Sequence, residues 1–373
     1  MYDDQFAILS RGIYANHAAI SPWPKVTADA VVAFAEENAR SGPGHYKDWV
    51  ARERELRNQL ATLIGAGEQD VALIQNTSEG ICAVAFGYPW QAGDNVVLPA
   101  GEFPSNRLPW LAQKARGVDA REVDIRAEGD PEAALIDAMD GRTRILALSC
   151  VQFSDGLRLD LEKLAAACGQ NEVLLCVDAI QQLGVLPIDV EACGVDCLAA
   201  GAHKWLLGPE GLGVFYCRES ARSKIGLTRL GWHMYDYPWN FERSDWTPAK
   251  SARRYEAGSP NNLGQAALHA SLSLILDIGV AEIAARVLRN TRQLVEGLSA
   301  LPEITVRSWT APQRQSGIVT FDTRNGEARS VFERLMAAGV TCALRDGGIR
   351  LSPHFYQDEA VIERLLEQVE HAL

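Results

Sequence analysis

Lys204 is the residue with the most chemistry to offer. It lies in AAGAHKWLLGPEGLG (199–213), where the apolar run Val195 to Ala200 reads as a buried strand that delivers His203 and Lys204 to the chain just beyond it. Gly208, Pro209, Gly211 and Gly213 then force a tight loop before a second apolar run, Val214 to Cys217. A lysine leaving the core at a strand end stands where ligands of α/β proteins bind. Desolvation or a neighbouring cation lowers the pKa of such an amine and lets it form an imine with a carbonyl.

Four further stretches offer partners for that chemistry. Asp178 ends the buried run in VLLCVDAIQQLG (173–184). A carboxylate fixed against a pyridinium nitrogen keeps it protonated and makes the ring an electron sink, and Gln181, one short turn on, could donate to a phenolic oxygen of the same ring. Thr77 and Ser78, in NTSEG after the apolar run Val71 to Ile74, are natural N-cap residues, and exposed amides at a helix start bind phosphate. Phe103, in GEFPSNRLPW, offers an aromatic face to a planar ligand. Arg350, in GGIRLSPHFY, carries the planar fork suited to a carboxylate. Taken singly, each has an ordinary reading: a surface lysine, a helix cap, a packed phenylalanine, a structural ion pair.

The elements that would position these residues are legible as alternating patterns. Ile13 to Pro24 reads as an extended entry segment, and Thr27 as the N-cap of a helix that Ser41 to His45 breaks. A second helix covers Trp49 to Leu63. Short apolar runs then alternate with helical segments: Val71 to Ile74, Asn95 to Pro99, Ile145 to Cys150, Val173 to Val177, Cys197 to Ala200 and Leu212 to Cys217. Continuous apolar strands between helices point to an α/β fold with a mostly parallel sheet. After the helix Ala266 to Ile278 the pattern changes. A helix (281–301), a strand (317–321), a helix (328–338), strands at 340–344 and 348–351, and a last helix from Asp358 make an α+β unit. This places a large α/β domain over 16–264 and a small α+β domain over 265–373 together with 1–15.

Composition sets outer bounds. The chain has 373 residues, 47% of them apolar and 23% charged, as in an ordinary soluble enzyme. A net charge of −12 without a basic stripe argues against nucleic acid or an anionic membrane as partner. Eight cysteines lie mostly in apolar runs; Cys193 and Cys197 are four apart, but no second Cys/His pair joins them, so no metal site is expected. With no signal-like apolar core behind MYDDQF and no run of membrane-spanning length, a cytoplasmic protein with reduced thiols is expected. No GxGxxG follows a strand and no GxxxxGK[ST] occurs, so the dinucleotide and P-loop fingerprints are absent.

NTSEG, EFPSN, VDAIQ, GAHKWLLGPEGLG, RRYEAGSPN and IRLSPHFY, in that order, resemble the class V aminotransferase family, its cysteine desulfurase-like and isopenicillin N epimerase-like branch of fold-type I pyridoxal-phosphate enzymes. The resemblance implies a large domain with a mostly parallel, seven-stranded-type sheet between helices. It implies pyridoxal 5′-phosphate bound to Lys204 as an imine, Asp178 on the ring nitrogen, Gln181 on the ring hydroxyl, and Thr77, Ser78 and His203 on the phosphate. Phe103 would cover the ring and Arg350 take the substrate carboxylate. Ser259, in EAGSPN, would reach the phosphate of the neighbouring subunit of a homodimer.

Two departures bear on the reaction. Desulfurases resembling this chain carry a serine where Gly201 stands, and a nucleophilic cysteine on a mobile loop before the arginine; here the nearby thiol, Cys342, sits in strand-like VTCAL. The expected activity is therefore β-elimination, a carbon–sulfur lyase acting on a cysteine-like amino acid, with an aminotransferase or amino-acid epimerase as the alternative. A persulfide-forming desulfurase and a non-catalytic interaction protein are the remaining readings. The substrate side chain is expected to meet Asn16, His17, His45, Tyr46, Trp232, His233 and the aromatic-rich stretch 232–246, which also reads as an exposed loop at a subunit contact.

Overall fold

Strands whose residues are apolar at every position can be buried on both faces, and the central sheet is built from such strands. The computed structural model describes residues 2, 4–127, 129–242, 247–324 and 326–373. After a two-residue strand β1 (Ile13–Tyr14) come helices α1 (Lys25–Ser41) and α2 (Tyr46–Ile64). The strands β2 (Val71–Ile74), β3 (Asn95–Pro99), β4 (Asp119–Val123), β5 (Thr143–Ser149), β6 (Leu174–Asp178), β7 (Cys197–Gly201) and β8 (Gly213–Cys217) follow, with α3 (Thr77–Gly87) directly after β2. They form a seven-stranded sheet in the order β2-β8-β7-β6-β5-β3-β4, parallel except where β8 runs against both β2 and β7.

Period-two alternation sorts the strand residues onto two cores. Leu146, Leu148, Leu175, Val177, Leu198 and Ala200 face one; Ile145, Ala147, Leu174, Cys176, Cys197 and Ala199 face the other. Strand β4 escapes a reading by apolar runs because it is the edge strand, with the largely polar sequence DAREV.

A second sheet, order β12-β13-β10-β9, is antiparallel throughout: β9 (Ile304–Val306), β10 (Val319–Thr323), β12 (Ala343–Arg345) and β13 (Gly348–Leu351). Strand β1 pairs in parallel with β11 (Val340–Thr341), and Asn16 bridges Ser352, so the N-terminal segment is sewn to this part of the chain. The single strand expected over 340–344 is interrupted at Cys342, where pairing changes from β1 to β13. The helix Asn262–Ile278 gives Leu268, Leu272 and Ile275 to the large sheet's core. The next helix, Val280–Ser299, serves both cores, with Ile283 and Val287 on one side and Leu294 and Leu298 on the other. None of the described helices is long and apolar enough to cross a membrane.

Two expected caps are corrected. Helix α1 begins at Lys25 behind Pro24, so Thr27 lies inside it, buried, with its hydroxyl 2.6 Å from that of Ser271. Helix α3 is capped by Asn76, whose side chain accepts from Glu79 N–H at 3.0 Å, which leaves Thr77 and Ser78 free for other contacts.

Helix α3 lies tight against the sheet at Gly80, where a Cβ would stand 2.7 Å from Ala199 Cβ and 3.1 Å from Phe215. Replacing glycine in a helix gains about 1 kcal/mol of propensity at most, whereas forcing extra carbons into a packed core costs about 1–3 kcal/mol. Gly80→Val should therefore lower the unfolding free energy measured by urea titration by about 1–3 kcal/mol, and an unchanged or raised midpoint would contradict the close packing.

Candidate active site

Five segments meet at one edge of the sheet. Strands β3, β5, β6 and β7 are parallel, and β2 runs the same way because β8 reverses twice between it and β7. The chain leaving each of their carboxyl ends carries a polar or aromatic side chain into a common cavity of about 320 Å³, lined by Thr77, Ser78, Phe103, Ser105, Phe153, Asp178, Gln181, His203, Lys204, Arg345 and Arg350, with Ala18, Ala19, Asn76 and Ile180. Crevices outside the carboxyl ends of α/β strands are where such folds bind ligands.

Asp178 and Lys204 are 2% and 8% exposed. Asp178 Oδ1 accepts from Ile180 N–H at 3.0 Å. Burial raises its pKa, with the nearby Glu102 carboxylate adding to the rise, while the Ile180 bond and Lys204 oppose it. Glu102 is itself buried beneath the site, held by Ser149 N–H at 2.7 Å, by the Ser149 hydroxyl and by Gln152 Nε2. Burial presses the pKa of Lys204 down, opposed by Asp178 and aided by the guanidiniums of Arg350 and Arg345. Its Nζ stands 5.6 Å from the centre of the Phe103 ring, and Phe103 in turn meets Phe153 edge-on at 5.3 Å.

At one end of the cavity, Thr77 Oγ1 accepts from Gly201 N–H at 2.9 Å, joining the start of α3 to the end of β7. The Ser78 hydroxyl donates to that of Ser105 at 2.8 Å. A Cβ at Gly201 would lie 3.1 Å from the His203 ring, so the imidazole crowds the place a serine side chain would need. Gln181 has both ends of its amide engaged, Nε2 on Ala18 O and Oε1 receiving Trp205 Nε1–H, which fixes its plane at the cavity wall.

At the other end stands Arg350, 1% exposed. Its Nη1 donates to Phe153 O at 2.7 Å, but Nε and Nη2 are buried without partners. Burial and the like charge of Arg345 lower its pKa to about 9. An unmet buried guanidinium is costly, and a bound anion would satisfy it.

Other expected residues lie elsewhere. The expectation for His17 is corrected: it is fully buried, with Nδ1 at 2.8 Å from Ser352 O and Nε2 at 2.6 Å from the Tyr356 hydroxyl, so both ring nitrogens are spent on holding the N-terminal segment. Asn16 beside it forms the bridge to Ser352 and does not line the cavity. His45 is exposed beside Asp48, Tyr46 packs on Trp49 and Trp239, and Trp232 packs on His233, Trp239 and Phe241. His233 joins a buried cluster with Glu53, Glu256 and Arg253. Residues 243–246, including Trp246, fall outside the described residues. Ser259 is exposed and lines a neighbouring cavity that touches this one at Asn76. Cys342 is 4% exposed in the small sheet's core, its thiol pushed up to about 12 by burial.

The aminotransferase class V sequence model matches residues 13–365. The chain belongs to the class V aminotransferase family. It is 30% identical to a probable cysteine desulfurase of Methanothermobacter thermautotrophicus, over 97% of this chain and 95% of the relative. Among solved structures it is similar to the cystine C–S lyase C-DES in complex with its reaction product cysteine persulfide, with a TM-score of 0.90 and 26% identity over 98% of this chain and 99% of that one. It is likewise similar to a C-DES mutant with glycine covalently linked to the PLP cofactor, with a TM-score of 0.91. As a member of the class V aminotransferase family, the protein is a pyridoxal-phosphate-dependent enzyme with the fold of these structures.

The residues of the cavity fit that cofactor. It asks for a buried amine, a carboxylate opposite it, hydroxyls at a helix start, an aromatic face and room for one planar ring. The cavity supplies Lys204, Asp178, Thr77 and Ser78 at α3, Phe103, and a volume in the range of small-molecule sites. The depressed pKa of Lys204 has a direct consequence, since only the neutral amine attacks an aldehyde. With the apo-protein, borohydride-trapped adduct at Lys204 should titrate with an inflection below the ordinary 10.5. Asp178→Asn removes the charge that holds the amine protonated and should move the inflection lower still; mass spectrometry across pH reads both, and an upward move would contradict the pairing.

Proposed function

We propose that this enzyme is a carbon–sulfur lyase that eliminates sulfur from the β-carbon of a cysteine-like amino acid. The observation that carries this reading is the chemistry of the cavity wall: among the described residues no thiol lines it, and Cys342 is sealed in another core. A persulfide-forming enzyme needs a thiolate that reaches the leaving sulfur, and a buried thiol with a raised pKa is inert. The likeness to a cystine C–S lyase over nearly the whole chain supports the same reading.

Pyridoxal phosphate, when bound, supplies an aldehyde for the substrate amine and a ring that accepts the electron pair left at Cα. Thr77, Ser78 and His203 would hold its phosphate, Phe103 would cover its ring, Gln181 would meet its hydroxyl, and Asp178 would hold the proton on its nitrogen. Arg350 takes the substrate carboxylate through its two unmet donor atoms. Lys204 is the residue that would carry the cofactor, and its Nζ would remove the Cα proton of the substrate. The Cβ–S bond then breaks and sulfur leaves as thiolate, which Lys204 can reprotonate. The enamine product, once released, gains a proton at Cβ to become an imine, which water hydrolyses to pyruvate and ammonium.

We also propose a homodimer, in which Ser259 serves the phosphate in the partner's cavity. Its exposure, and its place on a wall next to rather than inside the cavity of its own chain, support this. Light scattering should give twice the chain mass.

The reaction is tested by incubating holoenzyme with S-substituted cysteines and assaying pyruvate, thiol, keto acid and enantiomer composition. Pyruvate and thiol should appear in equal amounts. Lys204→Ala should lower the rate by about 10²–10⁴-fold, the usual worth of a positioned general base, and Cys342→Ala should leave it unchanged. Keto acid formed only with an amino acceptor, or racemised substrate, would replace elimination by transamination or epimerisation. Sulfane sulfur transfer lost in Cys342→Ala would restore the desulfurase.

A further inference from the structure

The cavity holds a second arginine for which the reaction outlined above has no use. Strands β12 and β13 form a hairpin closed by Asp346 and Gly347, both at positive φ (49° and 81°), the signature of a type I′ turn. In this register Ala343 stands opposite Arg350 and Arg345 opposite Gly348. Side chains two apart on a strand share a face, as do directly opposed ones. Arg345 and Arg350 therefore project from the same face, and both line the Lys204 cavity.

No acid on that face is left to neutralise them. Thr320 of β10 stands opposite Arg350, so Asp322, two residues on, shares the face, but it is ion-paired with Arg307. Arg345 makes one hydrogen bond, from Nη1 to the carbonyl of its neighbour Leu344 at 2.9 Å, and no described carboxylate pairs with it. Arg350 has two buried donor atoms unmet. Among the cavity's lining residues, Asp178 is the one carboxylate, against Lys204, Arg345 and Arg350. Asp178 already accepts from Ile180 N–H and is assigned to the cofactor in the reading above, which gives the cofactor's phosphate to Thr77 and Ser78 at the start of α3. One substrate carboxylate satisfies Arg350, and one guanidinium is left over.

We propose that Arg345 binds a second anionic group on the substrate, so that the preferred substrate is an amino acid whose sulfur substituent ends in a carboxylate. The proposal rests on the lyase reading only for the identity of the leaving group. The pairing itself is a charge-assisted bond in a half-buried site, and it makes Arg345 a specificity residue placed beyond Cβ.

Two matched comparisons test it on the holoenzyme. The first is kcat/KM for pyruvate release from S-carboxymethyl-cysteine against S-ethyl-cysteine. The second is the calorimetric Kd of glutamate against norvaline, neither of which has a sulfur to lose. In the wild type the acidic member should win both comparisons by about tenfold or more, the worth of one charged hydrogen bond. In Arg345→Gln both ratios should collapse to within about threefold, and Arg345→Lys should keep part of the preference. Each ratio is internal to one variant, so a loss of folded protein cancels. A wild type without acid preference, or a preference that survives in Arg345→Gln, overturns the proposal; the former would place both guanidiniums on one carboxylate, the latter would assign the second carboxylate to another group. An acid preference in Kd with no pyruvate from any substrate would sustain Arg345 while removing the lyase reading.

Discussion

Opposite charges buried in one cavity, Asp178 and Lys204, set the terms for the rest of the molecule. Neither ion is comfortable there: burial pushes the carboxylate toward its proton and the amine away from its own. Each is tolerated because the other is present, and removing one partner of such a pair strands a buried charge. The strand register enforces the meeting. Asp178 pairs with Ala199 across β6 and β7, so the residues just beyond Ala199 must turn over the carboxylate. Ala199 is small because α3 comes down on its face of this strand at Gly80, and that approach puts Thr77 within reach of Gly201 N–H.

The site exists only when distant parts of the chain are assembled. Thr77 and Gly201 are 124 residues apart, and Arg350 reaches back 197 residues to the carbonyl of Phe153. That last bond ties the small sheet to the carboxyl edge of the large one and orients the guanidinium. The N-terminal segment closes the wall from a third direction, since Gln181 is held by Ala18 O while His17 is locked between Ser352 and Tyr356. His17 therefore matters to the cavity as a fastening, which explains a histidine beside the site that has no free nitrogen.

Much of this was legible in the residues. Continuous apolar runs marked six of the seven strands of the large sheet, because a strand covered on both faces has no reason to alternate. The polar edge strand Asp119–Val123 carries no such signal. Lys204, Asp178, Thr77, Ser78, Phe103, Gln181, His203 and Arg350 stood out at strand and helix ends, and the fold brings all eight to one cavity. The roles of Asn16, His17 and the aromatic loop were harder, since their surroundings depend on contacts far away in sequence. Ser105 and Phe153 follow strand ends without a distinctive pattern. Arg345 had a local signal: RDGGIR contains Asp-Gly between two short strands, and a two-residue hairpin there puts both arginines on one face.

The cavity's lining is dominated by positive charge, with Lys204, Arg345 and Arg350 against Asp178. A chain of net charge −12 offers no long-range attraction to an anionic substrate, and the repulsion of distant surface charges is screened beyond about 8–10 Å at physiological salt. Discrimination must then come from the few groups inside, where burial leaves less water to weaken them. Arg350 is nearly sealed from solvent, and its repulsion from Arg345 is relieved only when anions enter. Burial is the main cause of the lowered pKa of Lys204, and the same positive field adds to it. An anionic ligand that neutralises the arginines should therefore raise the basicity of Lys204 as it binds, making the amine a better acceptor for the Cα proton once substrate is in place. In the mechanism proposed above, substrate recognition and proton abstraction would be coupled through charge.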